Sequence, residues 1–353
     1  MVRVDPERFL AGPRARRMCW SLLEGRFAGS FRMEVWTGEA ERDPRRVARA
    51  VTEAVERPDL ERLRGERAPA AFLAALGDAV SSAMYWQEPD ATDRTLVDRR
   101  VRAALAPVAE AVLSATGTAW WSEPMAQDAQ FQVSFGAEPG DPDVAAADPS
   151  TSLQRWRAET LADEHAAAER PADPRANWSG RWWSTPAGAG VLGSTRTLGQ
   201  AGPVGLSLVE DGHEWTAARC RRLHPRATVS VFEVAGPEDL AELVGTYPLP
   251  VPRSRRHDWW RTTGEDRAWA IPDYVAVAGD FDAIHLSVLG YLTTAGRAIE
   301  IGRSLPAGST HTVLAGWDPD QTWWLTDGVE LDGHWSTWTM ADAQDPRSWR
   351  PVS

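Results

Sequence analysis

Apolar side chains recur at helical spacing along the first third of this chain and at strand spacing along much of the rest. In DPRRVARAVTEAVER, residues 43 to 57, Asp43 can cap, Pro44 takes the first turn, and Val47, Val51 and Val55 follow at four-residue steps. That pattern predicts an amphipathic helix. Residues 69 to 86 repeat it with Phe72, Leu73, Leu76, Val80 and Ala83, and residues 93 to 115 with Val97, Val101, Leu105, Val108 and Val112. Ahead of these, SFRMEVWTG alternates Phe31, Met33 and Val35 with Arg32 and Glu34 and predicts one strand. The first domain is therefore expected to be mostly, not purely, helical.

AQFQVSF, with Phe131, Val133 and Phe135 alternating against polar neighbours, predicts a half-buried strand. It runs into GAEPGDPDVAAADPS, residues 136 to 150, whose Gly, Pro and Asp leave little to pack and suggest a linker. A polar helix should follow from Leu153 to about Arg170. Beyond it GLSLV and ATVSVFEVA predict strands, EWTAARCRRL the helix between them and PEDLAELVGTYP the helix after them. Then come a loop, PVPRSRRHDWWRTTGEDR, a short helix from Pro272 to Ala278, and the strand DAIHLSVLGYL. HTVLAGW and TWWLTD, joined by DPDQ, predict a hairpin. The expected fold class is α+β: a mostly helical domain over 1–135, a linker over 136–150, and an α+β domain over 151–353 built on a strongly twisted mixed sheet.

Two short stretches nearly match, WWSEP at 120–124 and WWSTP at 182–186, but the residues after them diverge at once, so they are not an internal repeat. Both fit a strand closed by a Ser/Thr-Pro turn. Adjacent strand residues face opposite ways, so each pair, and those at Trp259–Trp260 and Trp323–Trp324, would bury one indole and offer the other to a second surface. That surface is either a neighbouring domain or a ligand.

The formal net charge of -12 repels nucleic-acid phosphates, so nucleic acid is not an expected partner. All 38 cationic side chains are arginine, and the absence of lysine excludes a pyridoxal Schiff base, a Walker A phosphate lysine and a kinase-type strand lysine. Cys19 and Cys220 fit no zinc or C-x-x-C spacing and read as buried thiols of a reducing compartment. MVRVDPERFLAGPRARR lacks an apolar signal core and no run approaches a membrane span, which predicts a cytoplasmic protein with no membrane partner. No metal signature occurs, and no metal is expected.

GAGVLG, Gly188 to Gly193, matches G-x-G-x-x-G with Glu210 near the distance of a ribose-binding acid. Gly199, Gly202 and Pro203 occupy the place of the helix that a dinucleotide would need, so a turn is expected there; NAD is the one candidate cofactor. RSRRHDWWR gathers Arg253, Arg255, Arg256 and Arg261 around His257, either to grip a phosphate or carboxylate or as a solvated loop paired with nearby acids. His285, between Ile284 and Leu286, faces away from their side; it is either a general base oriented by Asp282 or a histidine bonded to a backbone carbonyl.

The run from GRWWSTP through GLSLVEDGHEWTAARCRRL to ATVSVFEVAGPEDL resembles the order of segments in ADP-ribosyltransferase-like folds, over residues 180 to 325. The resemblance implies Arg181 as the first-strand arginine and Ser207 as the serine of the second motif. The family's third motif, a Q-x-E or E-x-E, is missing: DPDQTWWL offers Asp318, Asp320 and Gln321, and Glu300 in AIEIG is the one nearby strand glutamate. The whole chain also resembles an uncharacterised actinobacterial-type family. Two functions follow as expectations. One is a nucleotide- or small-molecule-binding protein, with a divergent transferase among its forms, using Arg181, Trp182, Trp183, Ser207, Arg255 and Arg256 for the ligand and His285, Asp282 or Glu300 for any chemistry. The other is a non-catalytic protein that meets a protein partner through exposed tryptophans.

Overall fold

The structure, a computed structural model, describes residues 4–27, 43–55, 68–136, 148–188, 190–210, 212, 215–305, 308–342 and 348–352. The strand expected in SFRMEVWTG and most of the 136–150 linker lie outside these residues.

Among the described residues six α-helices precede β1: α1 (Pro6–Ala11), α2 (Pro13–Phe27), α3 (Pro44–Val55), α4 (Ala68–Ser81), α5 (Ala91–Leu96) and α6 (Arg99–Ser114). The valine stripes pack inward as expected, with Val47 and Val51 of α3 and Val101, Leu105, Val108 and Val112 of α6 buried. The helix expected over 93–115 is broken in two. Asp98 accepts a hydrogen bond from the Arg100 amide at 2.7 Å and so starts α6 afresh, which leaves Val97 exposed at the junction.

The remaining elements are β1 (Gln130–Phe135), α7 (Pro149–Ala166), β2 (Leu192–Arg196), β3 (Ala217–Pro225), β4 (Val231–Val234), α8 (Pro237–Thr246), β5 (Pro248–Pro250), α9 (Arg256–Thr263), β6 (Ala268–Pro272), α10 (Tyr274–Val277), β7 (Ala283–Leu286), α11 (Val288–Thr294), β8 (Ile299–Leu305), β9 (Gly308–Thr312), β10 (Gln321–Trp324), β11 (Val329–Leu331), β12 (Ser336–Met340) and β13 (Trp349–Pro351). They form a large mixed sheet in the order β13-β12-β3-β1-β2-β10-β7-β4, with β11 on β3, and a small sheet β5-β6-β9-β8. The fold is α+β, with its helices concentrated before β1.

The packing does not divide at 136–150. β1, ahead of that boundary, lies between β2 and β3 beyond it, and one hydrophobic cluster runs from Phe9 in α1 through Leu105 in α6 to Leu292 in α11.

Four local expectations are corrected. EWTAARCRRL is not a helix: Ala217 to Pro225 form β3, which pairs with β1 on one side and with β12 and β11 on the other. Its arginines obscured a period of two, because Arg219 and Arg221 lie against the Trp335 ring and Arg221 donates from Nε to Gln132 at 2.8 Å. GLSLV holds a 3-10 turn, Val204–Leu206, in place of a strand. The strand DAIHLSVLGYL ends at Leu286, where Ser287 accepts from the Gly290 amide at 3.0 Å and starts α11. HTVLAGW and TWWLTD are not a hairpin, since β9 belongs to the small sheet and β10 to the large one.

The WWS-x-P stretches are not strand ends either. The first is a 3-10 turn, Thr116–Ser122, and the second an irregular segment ahead of β2. That second segment is held by the chain between the two sheets: the Ser184 amide donates to Ala315 O at 2.8 Å and the Thr185 hydroxyl to Gly316 O at 2.9 Å. Gly316 has φ +70°, and a Cβ there would stand 2.7 Å from Cβ of Trp183. Gly316→Ala combines left-handed backbone strain with a backbone-proximal clash and should destabilise by roughly 2 kcal/mol or more, measured as a lower urea midpoint.

Candidate functional site

Arg255, Arg256, His257 and Arg261 of RSRRHDWWR bind their own chain. α9 begins inside the motif, and Arg255, only 1% exposed, donates from Nε to Trp183 O at 3.2 Å and pairs with Asp163 at 3.7 Å. Burial pushes its guanidinium down to about 10. Arg256 and His257 both meet Pro171 O, at 3.0 and 3.1 Å, and the Trp259 indole donates to Trp182 O at 2.7 Å. Buried Asp258 accepts from Ser179, from the Gly180 amide and from Arg261. The loop expected to grip a ligand is therefore a clamp on residues 171–183. Arg181 pairs with Glu159 at 3.5 Å on α7, Ser207 follows the 3-10 turn, and Glu300 lies on β8, accepting from Ser309 at 2.7 Å. These last three residues stand on three different elements.

His285 does face away from Ile284 and Leu286, but Asp282 does not orient it. Asp282 accepts from the Ser230 amide at 2.9 Å and the Thr326 hydroxyl at 2.7 Å. The partners of His285 are Glu233 at Nδ1, 2.6 Å, and Asp320 at Nε2, 3.4 Å. Glu233 lies opposite it on β4 in parallel register, and Asp320 precedes β10 with φ +62°. Burial would lower the imidazole's pKa, but the hydrogen bonds and negative charge of Asp320 and Glu233 prevail and raise it. Asp320 also accepts from the Arg196 amide and Nε at 2.8 and 2.6 Å, and Arg196 reaches Glu123 of the first WWSEP at 2.7 Å.

GAGVLG is a turn. Gly188 and Gly190 take φ +74° and +79°, and the chain enters β2 at Leu192, so no helix N-terminus stands there for a pyrophosphate. Among the described residues no group of three or more His, Cys, Asp or Glu is placed to hold a metal, and no described helix is long and apolar enough to cross a membrane.

A cavity of about 760 Å³ lies where α2, α5 and α6 meet the end of α9 and the turn after α11. Six arginines line it: Arg14, Arg16, Arg17, Arg94, Arg102 and Arg297. Four carboxylates, Glu88, Asp90, Asp93 and Glu265, share the wall. The arginines divide into two kinds. Arg14 pairs with Asp93 at 2.5 Å, and Arg17 with Asp90 at 2.8 Å. Although burial alone would lower it, Arg14 is raised above its ordinary value by Asp93. Arg16, Arg94, Arg102 and Arg297 form no ion pair with a described carboxylate, Arg94 donating to Pro89 O at 2.5 Å. Arg16 spends one nitrogen on Leu10 O and Ala11 O at the end of α1, and Arg297 one on Thr293 O. Burial, and then the charges of Arg102, Arg14 and Arg297 against the pull of Asp93, bring Arg16 down to about 10. The buried Nε–H groups of Arg14, Arg16 and Arg102 have no acceptor.

Behind the wall, Tyr85 of the cavity lining donates to Glu210 at 2.5 Å, and Trp182 packs against Tyr85 and Trp86 with ring centroids 5.9 and 5.0 Å away. One residue named from the sequence thus backs the cavity, while His285, Arg255 and Arg256 lie outside its lining. The sequence reading missed the arginines because they come from separated segments. The one local signal, RARR at 14–17, reads equally as a charged helix face.

No family model, curated protein or solved structure matches this chain.

Proposed function

We propose that the protein binds a small anionic molecule in the arginine-lined cavity. The observation that carries this reading is the convergence of Arg16, Arg102 and Arg297 on one cavity without carboxylate partners, with the Nε–H groups of Arg16 and Arg102 buried and unsatisfied. An unsatisfied buried donor costs about 1–3 kcal/mol, and mutually repelling guanidiniums add to that cost. An anion in the cavity offsets the repulsion among these guanidiniums, and the planar fork of arginine suits a phosphate or carboxylate. The volume falls within the range of small-molecule sites.

The protein-interaction reading has less support, since Trp178 is the one tryptophan among the large exposed hydrophobics of the described residues, and Arg170 covers its ring.

Calorimetric titration at pH 7.5 and fixed ionic strength with orthophosphate and succinate tests the proposal. The wild type should bind at least one of them, and Arg102→Ala, which removes no described ion pair, should weaken that binding about tenfold, the scale of one charge-assisted hydrogen bond. Absence of binding to both, or unchanged affinity in the variant, sinks the reading.

A further inference from the structure

Resting on that anion-binding reading, we infer that the ligand is a dianion of the phosphate-monoester class carrying an apolar or aromatic body. Two features of the cavity lead there. The first is charge. Six arginines against four carboxylates leave an excess of two positive charges in the wall. A monoanion leaves one cationic charge uncompensated. A triphosphate overshoots and sets its surplus charge against Asp90, Asp93, Glu88 and Glu265. A phosphate monoester, nearly doubly ionised above its second pKa of about 6, matches the excess and offers the forks of Arg16 and Arg102 several acceptor oxygens.

The second feature is exposed apolar surface at the same place. Among the described residues five large hydrophobic side chains are exposed, and two of them, Met84 at 44% and Val97 at 57%, line this one cavity. The others, Leu161, Trp178 and Val352, are not among its lining residues. Val97 is left outward by the break between α5 and α6, and Met84 follows the end of α4, so neither is needed to fill the core. Pro13 and Pro89 extend the apolar wall with rigid rings. A bare phosphate would occupy a small part of about 760 Å³ and leave this wall wet. An ester whose phosphate sits among the arginines and whose body lies on Met84 and Val97 uses both parts. The flexible thioether of Met84 suits a body of varied shape.

Calorimetric titration of the full chain at pH 7.5 and fixed ionic strength separates the parts, with orthophosphate, phenyl phosphate and phenyl sulfate as probes. Phenyl phosphate should bind at least tenfold more tightly than orthophosphate, which lacks the body, and at least tenfold more tightly than phenyl sulfate, which keeps the ring but carries one charge. The double substitution Met84→Ser, Val97→Ser should abolish the advantage over orthophosphate while leaving orthophosphate affinity unchanged. Should the double variant lose its circular-dichroism spectrum, Val97→Ser alone should reduce the advantage at least threefold. Equal binding of phenyl phosphate and orthophosphate, equal binding of phenyl phosphate and phenyl sulfate, or an advantage untouched by the substitutions overturns this inference. Those results leave the anion site standing, because orthophosphate or succinate binding and its loss in Arg102→Ala are read separately.

Discussion

Asp320→Asn should lower the free energy of unfolding by about 3–5 kcal/mol, the range found when one member of a buried ion pair is removed and its partners stay behind. Asp320 is 1% exposed and meets two basic side chains, Arg196 through the amide and Nε and His285 through Nε2. Its backbone φ of +62° would penalise most replacements, but asparagine tolerates that region, so the substitution removes the charge and little else. The Asn carboxamide can still accept from Arg196 on one atom. It cannot offset the positive charge of a guanidinium whose side chain is 6% exposed and whose other carboxylate, Glu123, is largely in solvent. His285 would keep Glu233, itself partly exposed. Urea denaturation measures the loss directly. Asp282→Asn provides the control, because that carboxylate is more exposed and bonds only neutral groups, Ser230 and Thr326, and should cost about 1 kcal/mol. A loss at Asp320 no larger than at Asp282 would mean that the buried network contributes nothing beyond ordinary hydrogen bonds.

That network shows where the sequence is legible and where it is not. The placement of His285 on the sheet face opposite Ile284 and Leu286 follows from its apolar neighbours, a local period that one strand carries by itself. Its partners lie 52 and 35 residues away and are brought in by the parallel pairing of β4 with β7 and by the turn before β10, neither of which a linear pattern encodes. The same division separates the valine stripes of α3 and α6, readable at four-residue steps, from β3, where Arg219 and Arg221 meet the Trp335 ring, a partner more than a hundred residues on, opposite the buried Ala218 and Cys220. The cavity is the extreme case. Arg16, Arg102 and Arg297 are separated by whole elements, and each alone reads as an ordinary solvated charge. Only the docking of α2 against α6 and α11 makes them one site. RSRRHDWWR misled in the opposite sense: a dense local cluster of cations resembles a ligand grip, yet its groups are consumed by carbonyls of the segment it clamps and by Asp163 of α7.

Stability should fall as the pH rises from about 5 to about 8, and Glu210→Gln should flatten much of that decline. Burial and the neighbouring Asp318 push the Glu210 carboxyl up to about 8, against the hydrogen bond from Tyr85, and burial pushes Asp318 up to about 7. Both groups hold protons in the folded chain that the unfolded chain releases near the ordinary values of 4.5 and 3.8. Their contribution is thus complete below those values and is lost progressively until the pH passes the raised ones. His285 acts in the same direction. Its raised folded value stabilises fully below 6.5, and that contribution disappears as the pH climbs through the folded value. Each tenfold change in proton affinity corresponds to about 1.4 kcal/mol, so the combined effect is large against a total stability of about 5–15 kcal/mol. Glutamine at 210 keeps an oxygen for the amides of Gly316 and Trp317, which now donate to the carboxylate at 2.8 and 3.2 Å, and can turn its amide toward the Tyr85 oxygen. It carries no charge that could appear as the pH rises. Thermal unfolding followed from pH 5 to pH 8 should show the melting temperature of the wild type dropping steeply and that of Glu210→Gln dropping less, with the variant the more stable of the two at pH 8. Parallel curves for the two proteins would show that Glu210 is ionised in the folded chain throughout, its charge held by those two amides in spite of its burial.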